Sequence, residues 1–205
     1  MNDNLRSFIV DKLKSVDRPG IDALIEFLDS SDYFTAPAST KYHGAYEGGL
    51  AEHSVNVLDC MLTLDETFNK VYGMPKDDEG SIILVALLHD LCKTNTYHTK
   101  ELWRKDKNGK WESYIGYVRE PELCMGHGSK SVYLANKYIS LSDAEAQAIL
   151  YHMGAYDVSD YMTHNELGEA YSKNSLAYKL HAADMMATYV LENENILWEE
   201  INTEG

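Results

Sequence analysis

The sequence is poor in cysteine and lacks any long apolar run. Its 205 residues include three cysteines, Cys60, Cys92 and Cys124, an odd number with no close-spaced pair. This pattern argues against a disulfide framework and predicts a reduced, cytoplasmic protein. No apolar segment approaches the roughly 18 residues of a membrane span, and residues 1–6 lack the basic and then apolar layout of a signal peptide. We therefore predict no contact with a membrane.

Positive charge is also scarce. The chain has 18 lysines and arginines against 33 aspartates and glutamates, which gives a formal net charge of −15. A surface this acidic repels long polyanions, so the binding of long nucleic acids is disfavoured. A small phosphorylated substrate that metal ions attract stays compatible with this charge. The sequence leaves the oligomeric state open.

Two motifs of common enzyme classes are absent as well. The chain has no glycine-rich phosphate-binding loop of the nucleotide-triphosphatase kind. It also has no Gly-x-Ser-x-Gly nucleophile elbow. Acyl transfer by a serine nucleophile is therefore not supported.

The most informative segment is the apolar run over residues 82–88, which leads directly into His89 and Asp90. A run without polar residues is buried, and a carboxylate buried at its end costs free energy unless a partner or a metal neutralises it. A neutral imidazole beside a carboxylate is a suitable half-site for a divalent metal. The pair therefore indicates a metal site if further ligands come from elsewhere in the chain.

Further residues of suitable types lie on both sides of this pair. They are His53 upstream and His127, His152 and Asp184 downstream. His53 falls on the apolar stripe of a helix predicted over residues 50–68, and Asp184 lies beside the stripe of the last predicted helix. A buried carboxylate among apolar and small residues needs a cation or a donor. These positions strengthen the prediction of a metal site.

With these residues in view, the chain resembles the HD-domain superfamily of metal-dependent phosphohydrolases. The resemblance rests on the order His, His-Asp, His, His, Asp and covers roughly residues 41–192. It implies that His53, His89, Asp90 and Asp184 hold one ion, and that His127 and His152 hold a second ion with Asp90 as a bridge. Mixed imidazole and carboxylate ligands suit Mn²⁺, Fe²⁺, Co²⁺, Ni²⁺ or Zn²⁺ better than Mg²⁺ alone, and the sequence does not choose among them.

The hydrophobic periodicity predicts an all-α domain of about seven helices. The expected helices cover residues 5–13, 21–28, 50–68, 82–91, 130–139, 143–152 and 175–191. Residues 1–40 are expected to be helical packing for the core and residues 41–205 an HD-type phosphohydrolase domain, both within one domain. Asp77 or Asp78 is expected to cap the fourth helix, Asn174 or Ser175 the last one, and a loop is expected around residues 156–161.

One segment interrupts the helical pattern. Residues 102–118 are rich in strand-forming aromatic and β-branched side chains, and Asn108-Gly109 predicts a two-residue hairpin turn. The segment is the most basic of the chain and joins Lys93 to His127. We expect an inserted β-hairpin that is either a solvated surface element or a flap over the substrate. The candidate substrate contacts are Lys93, His43 and Arg104, and the candidate catalytic residues are His89, Asp90 and Lys93.

The resemblance implies hydrolysis of a small nucleotide or phosphate ester by a water that the metal ions activate. Three alternatives stay open. The first is an HD-type 3′–5′ exoribonuclease, to which the segments Gly-Gly-Leu-x-Glu-His and Gly-His-Gly are also similar. The second is a di-iron oxygenase of HD fold, and the third is a ligand-binding module that kept the ions and lost turnover.

Overall fold

The structure, a computed structural model, describes residues 3–157 and 161–193. In these two ranges, eight α-helices and one antiparallel pair of strands follow one another along the chain. The helices are α1 (Asp3–Lys14), α2 (Ile21–Ser30), α3 (Gly49–Tyr72), α4 (Glu79–Leu88), α5 (His127–Ala135), α6 (Asp143–Leu150), α7 (Tyr161–Lys173) and α8 (Ser175–Met186), and the strands are β1 (Tyr97–Lys105) and β2 (Trp111–Arg119). The prediction of an all-α fold with one inserted hairpin is confirmed. Helix α7 occupies a segment whose start was expected to be a loop.

Helix α4 lies at the centre of the fold. Every residue from Ile82 to Leu88 is buried, and α4 packs against α1, α3, α6 and α8. A helix that is apolar all round requires such a position. Within the described residues, no helix has both the length and the apolar character needed to cross a membrane.

The first forty residues pack on the same core. Leu13 of α1 and Leu24 of α2 belong to the hydrophobic cluster that surrounds α4. Helix α1 contacts both α3 and α4. A boundary between residues 1–40 and 41–205 stays a prediction.

Helix α4 ends three residues before the expected position. His89 caps it, and Asp90 takes a non-helical conformation with φ −101° and ψ 17° before a short 3₁₀ helix, Leu91–Lys93. The hydroxyl of Tyr33 donates a hydrogen bond of 2.8 Å to the Leu87 carbonyl and so satisfies part of the helix end. His89 and Asp90 therefore lie at the end of the buried helix rather than inside it.

Side-chain caps were predicted correctly at one helix and wrongly at another. At the start of α4, Asp78 accepts a hydrogen bond of 2.9 Å from the Ser81 backbone N–H, which confirms that prediction. At the start of α8, Asn174 makes no capping bond. Ser175 instead donates to Asp77 at 2.8 Å, because that aspartate, distant in the sequence, packs beside the helix end.

The capping box at α6 is more extensive than the sequence indicates. Ser142 and Glu145 bond reciprocally, and the carboxylate of Glu145 also accepts from Arg18 at 2.5 and 2.8 Å. It accepts a further bond of 2.7 Å from the hydroxyl of Ser81. One buried carboxylate thus ties the α1–α2 connection and α4 to α6.

The hairpin is longer than predicted, and its turn differs. Strands β1 and β2 pair from Tyr97 with Arg119 to Lys105 with Trp111. Asp106 N donates to Lys110 O at 2.8 Å, which leaves three residues in the loop. The Asp106 carboxylate accepts from the N–H groups of residues 108 and 110, and Gly109 has φ 79°. The predicted two-residue turn is therefore wrong, because Asp106 stabilises a three-residue loop with a left-handed glycine.

Candidate metal centre

The structure brings the six predicted ligands together at the C-terminal end of α4. They come from five parts of the fold: His53 from α3, His89 and Asp90 from the end of α4, His127 from the start of α5, His152 from just after α6, and Asp184 from α8. The carboxylate of Asp90 lies at the centre, at oxygen–Nε2 distances of 2.6 Å to His127, 3.5 Å to His89, 3.6 Å to His152 and 3.7 Å to His53. Asp184 Oδ1 lies 3.2 Å from His53 Nε2.

Backbone carbonyls orient two of the histidine rings. His89 Nδ1 lies 2.8 Å from the Ala86 carbonyl oxygen, and His152 Nδ1 lies 2.7 Å from the Ile149 carbonyl oxygen. A carbonyl oxygen accepts hydrogen bonds only, so each Nδ1 carries a proton, and in the neutral imidazole the lone pair is then on Nε2. The Nε2 atom of each ring is on the side that faces Asp90.

Ring nitrogens and carboxylate oxygens face one another at the centre of the cluster. Within the described part of the chain, the buried Nε2 of His152 has no hydrogen-bond partner, and His89 Nε2 lies 3.3 Å from His53 Nε2. Buried polar atoms without donors cost free energy. Ligand atoms of His89, Asp90 and His152 lie within 4.8 Å of one another, as do those of His53, His89 and Asp184. This set of imidazole and carboxylate groups is able to hold divalent metal ions.

A lysine neutralises the central carboxylate on one side. Lys93 Nζ lies 2.5 Å from Asp90 Oδ2. Burial alone would raise the pKa of Asp90, but the Lys93 ammonium and the neighbouring histidines hold it well below its usual value. Burial would lower the pKa of Lys93, yet Asp90 outweighs this effect and raises it. Both groups are therefore ionised at neutral pH.

Glu192 is a site residue that the sequence analysis missed. A π-helix, Ala187–Leu191, continues α8 and places Glu192 against α3. Its carboxylate oxygens lie 3.0 and 3.1 Å from His53 Nδ1, and it accepts a bond of 2.8 Å from Asn56. Burial opposes protonation of His53, but its bonds to Asp184 and Glu192 outweigh burial and raise its pKa to about 9. Glu192 thus accepts from Nδ1 and orients the ring so that Nε2 faces Asp184 and the cluster.

His127 lies on the solvent-exposed side of the cluster. Its side chain is 25% exposed, whereas those of His53, His89 and His152 are buried. Cys92, which sequence reasoning also missed, lies with its Sγ 3.4 Å from His127 Nδ1. Burial opposes protonation of His127, but contacts with Asp90 and Cys92 raise its pKa to about 9.

Two of the three predicted substrate contacts, Lys93 and His43, lie next to residues of the cluster. Lys93 touches Asp90, and the ring centroid of His43 lies 4.9 Å from that of His53. Burial, followed by the charge of His53, lowers the pKa of His43 to about 4, so this imidazole is neutral at neutral pH.

Arg104 is not brought to the cluster. It lies seven residues beyond Tyr97 on β1, a distance of roughly 23 Å at the rise of a strand. Its guanidinium pairs with Glu112 on β2 at 2.6 Å. A role for Arg104 in substrate binding stays a prediction.

Comparison with known proteins gives a family match that spans the residues of this cluster. The HD domain family profile matches residues 50–188. The chain is 42% identical over 66 residues to the dihydroneopterin 2′,3′-cyclic phosphate phosphodiesterase of Methanocaldococcus jannaschii, a match that covers 32% of this chain and 26% of that protein. No solved structure matches the chain significantly. The HD profile covers more than half of the chain and includes every residue from His53 to Asp184, so the chain belongs to the HD domain family.

Proposed function

We propose that the chain is a metal-dependent phosphohydrolase that hydrolyses a small nucleotide or phosphate ester. The observation that carries this proposal is the group of imidazole nitrogens around Asp90, with the Lys93 ammonium beside the same carboxylate. The similarity to a phosphodiesterase named for a small cyclic phosphate supports a substrate of this size. The net charge of −15 supports it as well, because a long polyanion would meet a repulsive surface.

The proposed metal content is two divalent ions, drawn from manganese, iron, cobalt, nickel, zinc or magnesium. One site would use His53, His89, Asp90 and Asp184, and the other would use His127 and His152 with Asp90 in common. Ions bound there supply a water of lowered pKa and neutralise charge on phosphoryl oxygens.

Residues of the chain have separate roles in this proposal. Lys93 keeps its charge and would donate a charge-assisted hydrogen bond to a phosphoryl oxygen. Asp90 holds the Lys93 ammonium at 2.5 Å, which limits the positions that a phosphate takes. The neutral imidazole of His43, which lies beside His53, would form a hydrogen bond with the substrate without adding charge.

Metal analysis tests the ligand set. We expect Asp90→Ala to remove most bound metal and all turnover, because its carboxylate lies within 3.7 Å of the Nε2 atoms of four histidines. His127→Ala or His152→Ala should each remove about one ion per chain, as a two-ion site predicts. Asp22→Ala, at an exposed position of α2, is the matched control and should change neither quantity. Elemental analysis measures the metal content of each variant, and circular dichroism checks that the variant is folded. An unchanged metal content in Asp90→Ala contradicts the proposal.

A substrate comparison tests the reaction class. The manganese-loaded protein is assayed on nucleotides and cyclic phosphates beside a labelled single-stranded RNA of about 20 residues, longer than a typical single-strand site. We expect turnover of small substrates and little stepwise shortening of the RNA. Conversion of the RNA to a ladder of short products, faster than hydrolysis of every small substrate, would favour the exoribonuclease instead.

A further inference from the structure

A cleft of about 1070 Å³ opens beside the metal cluster. It lies between the segment that precedes α3 and the π-helix that follows α8. His43 lines this cleft, and its ring also contacts that of His53, so the cleft adjoins the cluster. Its volume slightly exceeds the upper end of the range for small-molecule sites, roughly 300 to 1000 Å³.

Tyrosines line the cleft from both sides. Tyr42 and Tyr46 precede α3 and are 80% and 46% exposed, and Tyr189 of the π-helix is 53% exposed. Three large aromatic side chains with exposed surface around one cleft provide flat faces that a planar ring can cover. Stacking of this kind tolerates many heterocycles, because every base has a π-face.

Two carboxylates, those of Glu52 and Glu192, line the cleft. Glu52 and Asn56 are one turn apart on the same face of α3 and line the cleft together. The amide nitrogen of Asn56 donates to Glu192, which leaves the amide oxygen as its acceptor. Lys41 also lines the cleft. Such a surface suits ring N–H groups and disfavours further phosphates.

We propose that this cleft binds the heterocyclic ring of the substrate while its phosphate lies at the metal cluster beside Lys93. This inference rests on the proposed function and specifies its substrate class. The ligand is a nucleoside-like phosphate monoester or cyclic phosphate, without a chain of further phosphates. Its ring stacks on the tyrosines, and a donor edge such as the amino-pyrimidinone edge of guanine faces Glu52.

Equilibrium binding to the manganese-loaded protein tests the assignment. Guanosine monophosphate and ribose 5-phosphate are titrated into the wild-type protein and its variants by calorimetry. We expect the wild-type protein to bind the guanosine compound at least about tenfold more tightly, and Tyr189→Ala to remove about tenfold, the lower end of a stacking contribution. The affinity for ribose 5-phosphate should be the same in both proteins.

Two further variants sharpen the test. Glu52→Met, which removes both acceptor oxygens at similar side-chain length, should abolish the preference for guanosine monophosphate over inosine monophosphate, which lacks the exocyclic amino group. Tyr72→Ala is the matched control, because Tyr72 is also an exposed tyrosine but lies at the far end of α3, outside the cleft. It should change no affinity. Metal content is measured for every variant.

The outcomes separate this inference from the proposed function. Equal wild-type affinity for the two phosphates, or unchanged guanosine monophosphate affinity in both Tyr42→Ala and Tyr189→Ala, would overturn the inference. A parallel loss of ribose 5-phosphate affinity in Tyr189→Ala would overturn it too, since the tyrosine would then act through the cluster. A protein that binds as expected but hydrolyses no phosphate ester contradicts only the proposed function.

Discussion

The buried carboxylate of Glu145 should make stability depend on pH in a defined way. Its side chain is 0% exposed and accepts hydrogen bonds from Arg18, Ser81 and the Ser142 backbone. Burial alone would raise the pKa of Glu145, but these bonds, that of Arg18 foremost, lower it from 4.5 to about 2. The substitution Glu145→Gln keeps the shape of the side chain and removes its charge.

The size of the effect on the free energy of unfolding follows from the change in the pKa of Glu145. A carboxyl whose pKa is lower in the folded state stabilises that state above its unfolded pKa and loses this contribution as the pH falls toward its folded pKa. Lowering the pKa of Glu145 from 4.5 to about 2 corresponds to about 3 kcal/mol of stabilisation at pH 7. About 2 kcal/mol of this should be lost by pH 3, midway through the titration. The difference in free energy of unfolding between the wild-type protein and Glu145→Gln should shrink accordingly.

Urea denaturation at pH 7, 5 and 3 measures this difference. Unfolding is followed by far-ultraviolet circular dichroism in the presence of a chelator, so that bound metal contributes nothing. Glu26→Gln, at an exposed position of α2, is the control and should leave the pH dependence unchanged. If the wild-type protein and Glu145→Gln differ by the same free energy at all three pH values, the role assigned to the Arg18 ion pair is wrong.

Three further predictions concern the site. Glu192→Gln should weaken metal binding about 10- to 100-fold, which is the usual cost of losing a carboxylate that orients a histidine ligand. A metal-binding isotherm measures this loss, and an unchanged metal affinity would contradict the role given to Glu192. Lys93→Met should raise KM for a phosphate ester with metal content unchanged, and an unaltered KM would exclude a phosphate contact. Replacement of residues 103–118 by a short Gly/Ser linker should raise KM while metal content and the circular dichroism of the helices stay the same, and wild-type kinetics would show that the hairpin does not cover the substrate.

The centre of the fold follows from local sequence, whereas the candidate ligands were recognised from their order along the chain, which resembles that of HD domains. The run of residues 82–88 has no polar position, so it must be buried whatever surrounds it, and a His-Asp pair at its end must be neutralised there. The capping box at α6 depends on two residues three positions apart. Features of this kind are readable because their physical cause lies within a few residues of chain.

Helix α7 shows where this local approach fails. Its sequence is mostly polar, and Leu167 and Ala170 are its buried residues among those described. An apolar stripe this narrow gives a weak periodicity, and packing against α8 stabilises the helix instead. The capping prediction at α8 failed for a related reason, because the Ser175 hydroxyl bonds Asp77, 98 positions away.

Only the tertiary structure decided which atoms meet in the site. The π-helix after α8 shifts the helical register and directs Glu192 to His53, a contact across 139 positions of sequence. The direction of His152 Nε2 depends on a ring rotation set by the Ile149 carbonyl, and the Arg104 guanidinium pairs with Glu112 of its own hairpin. Residue types and their order are properties of the sequence. Ring orientation, side-chain partners and the cleft beside the cluster arise when distant segments pack, because the lowest free energy belongs to the contacts of the whole fold.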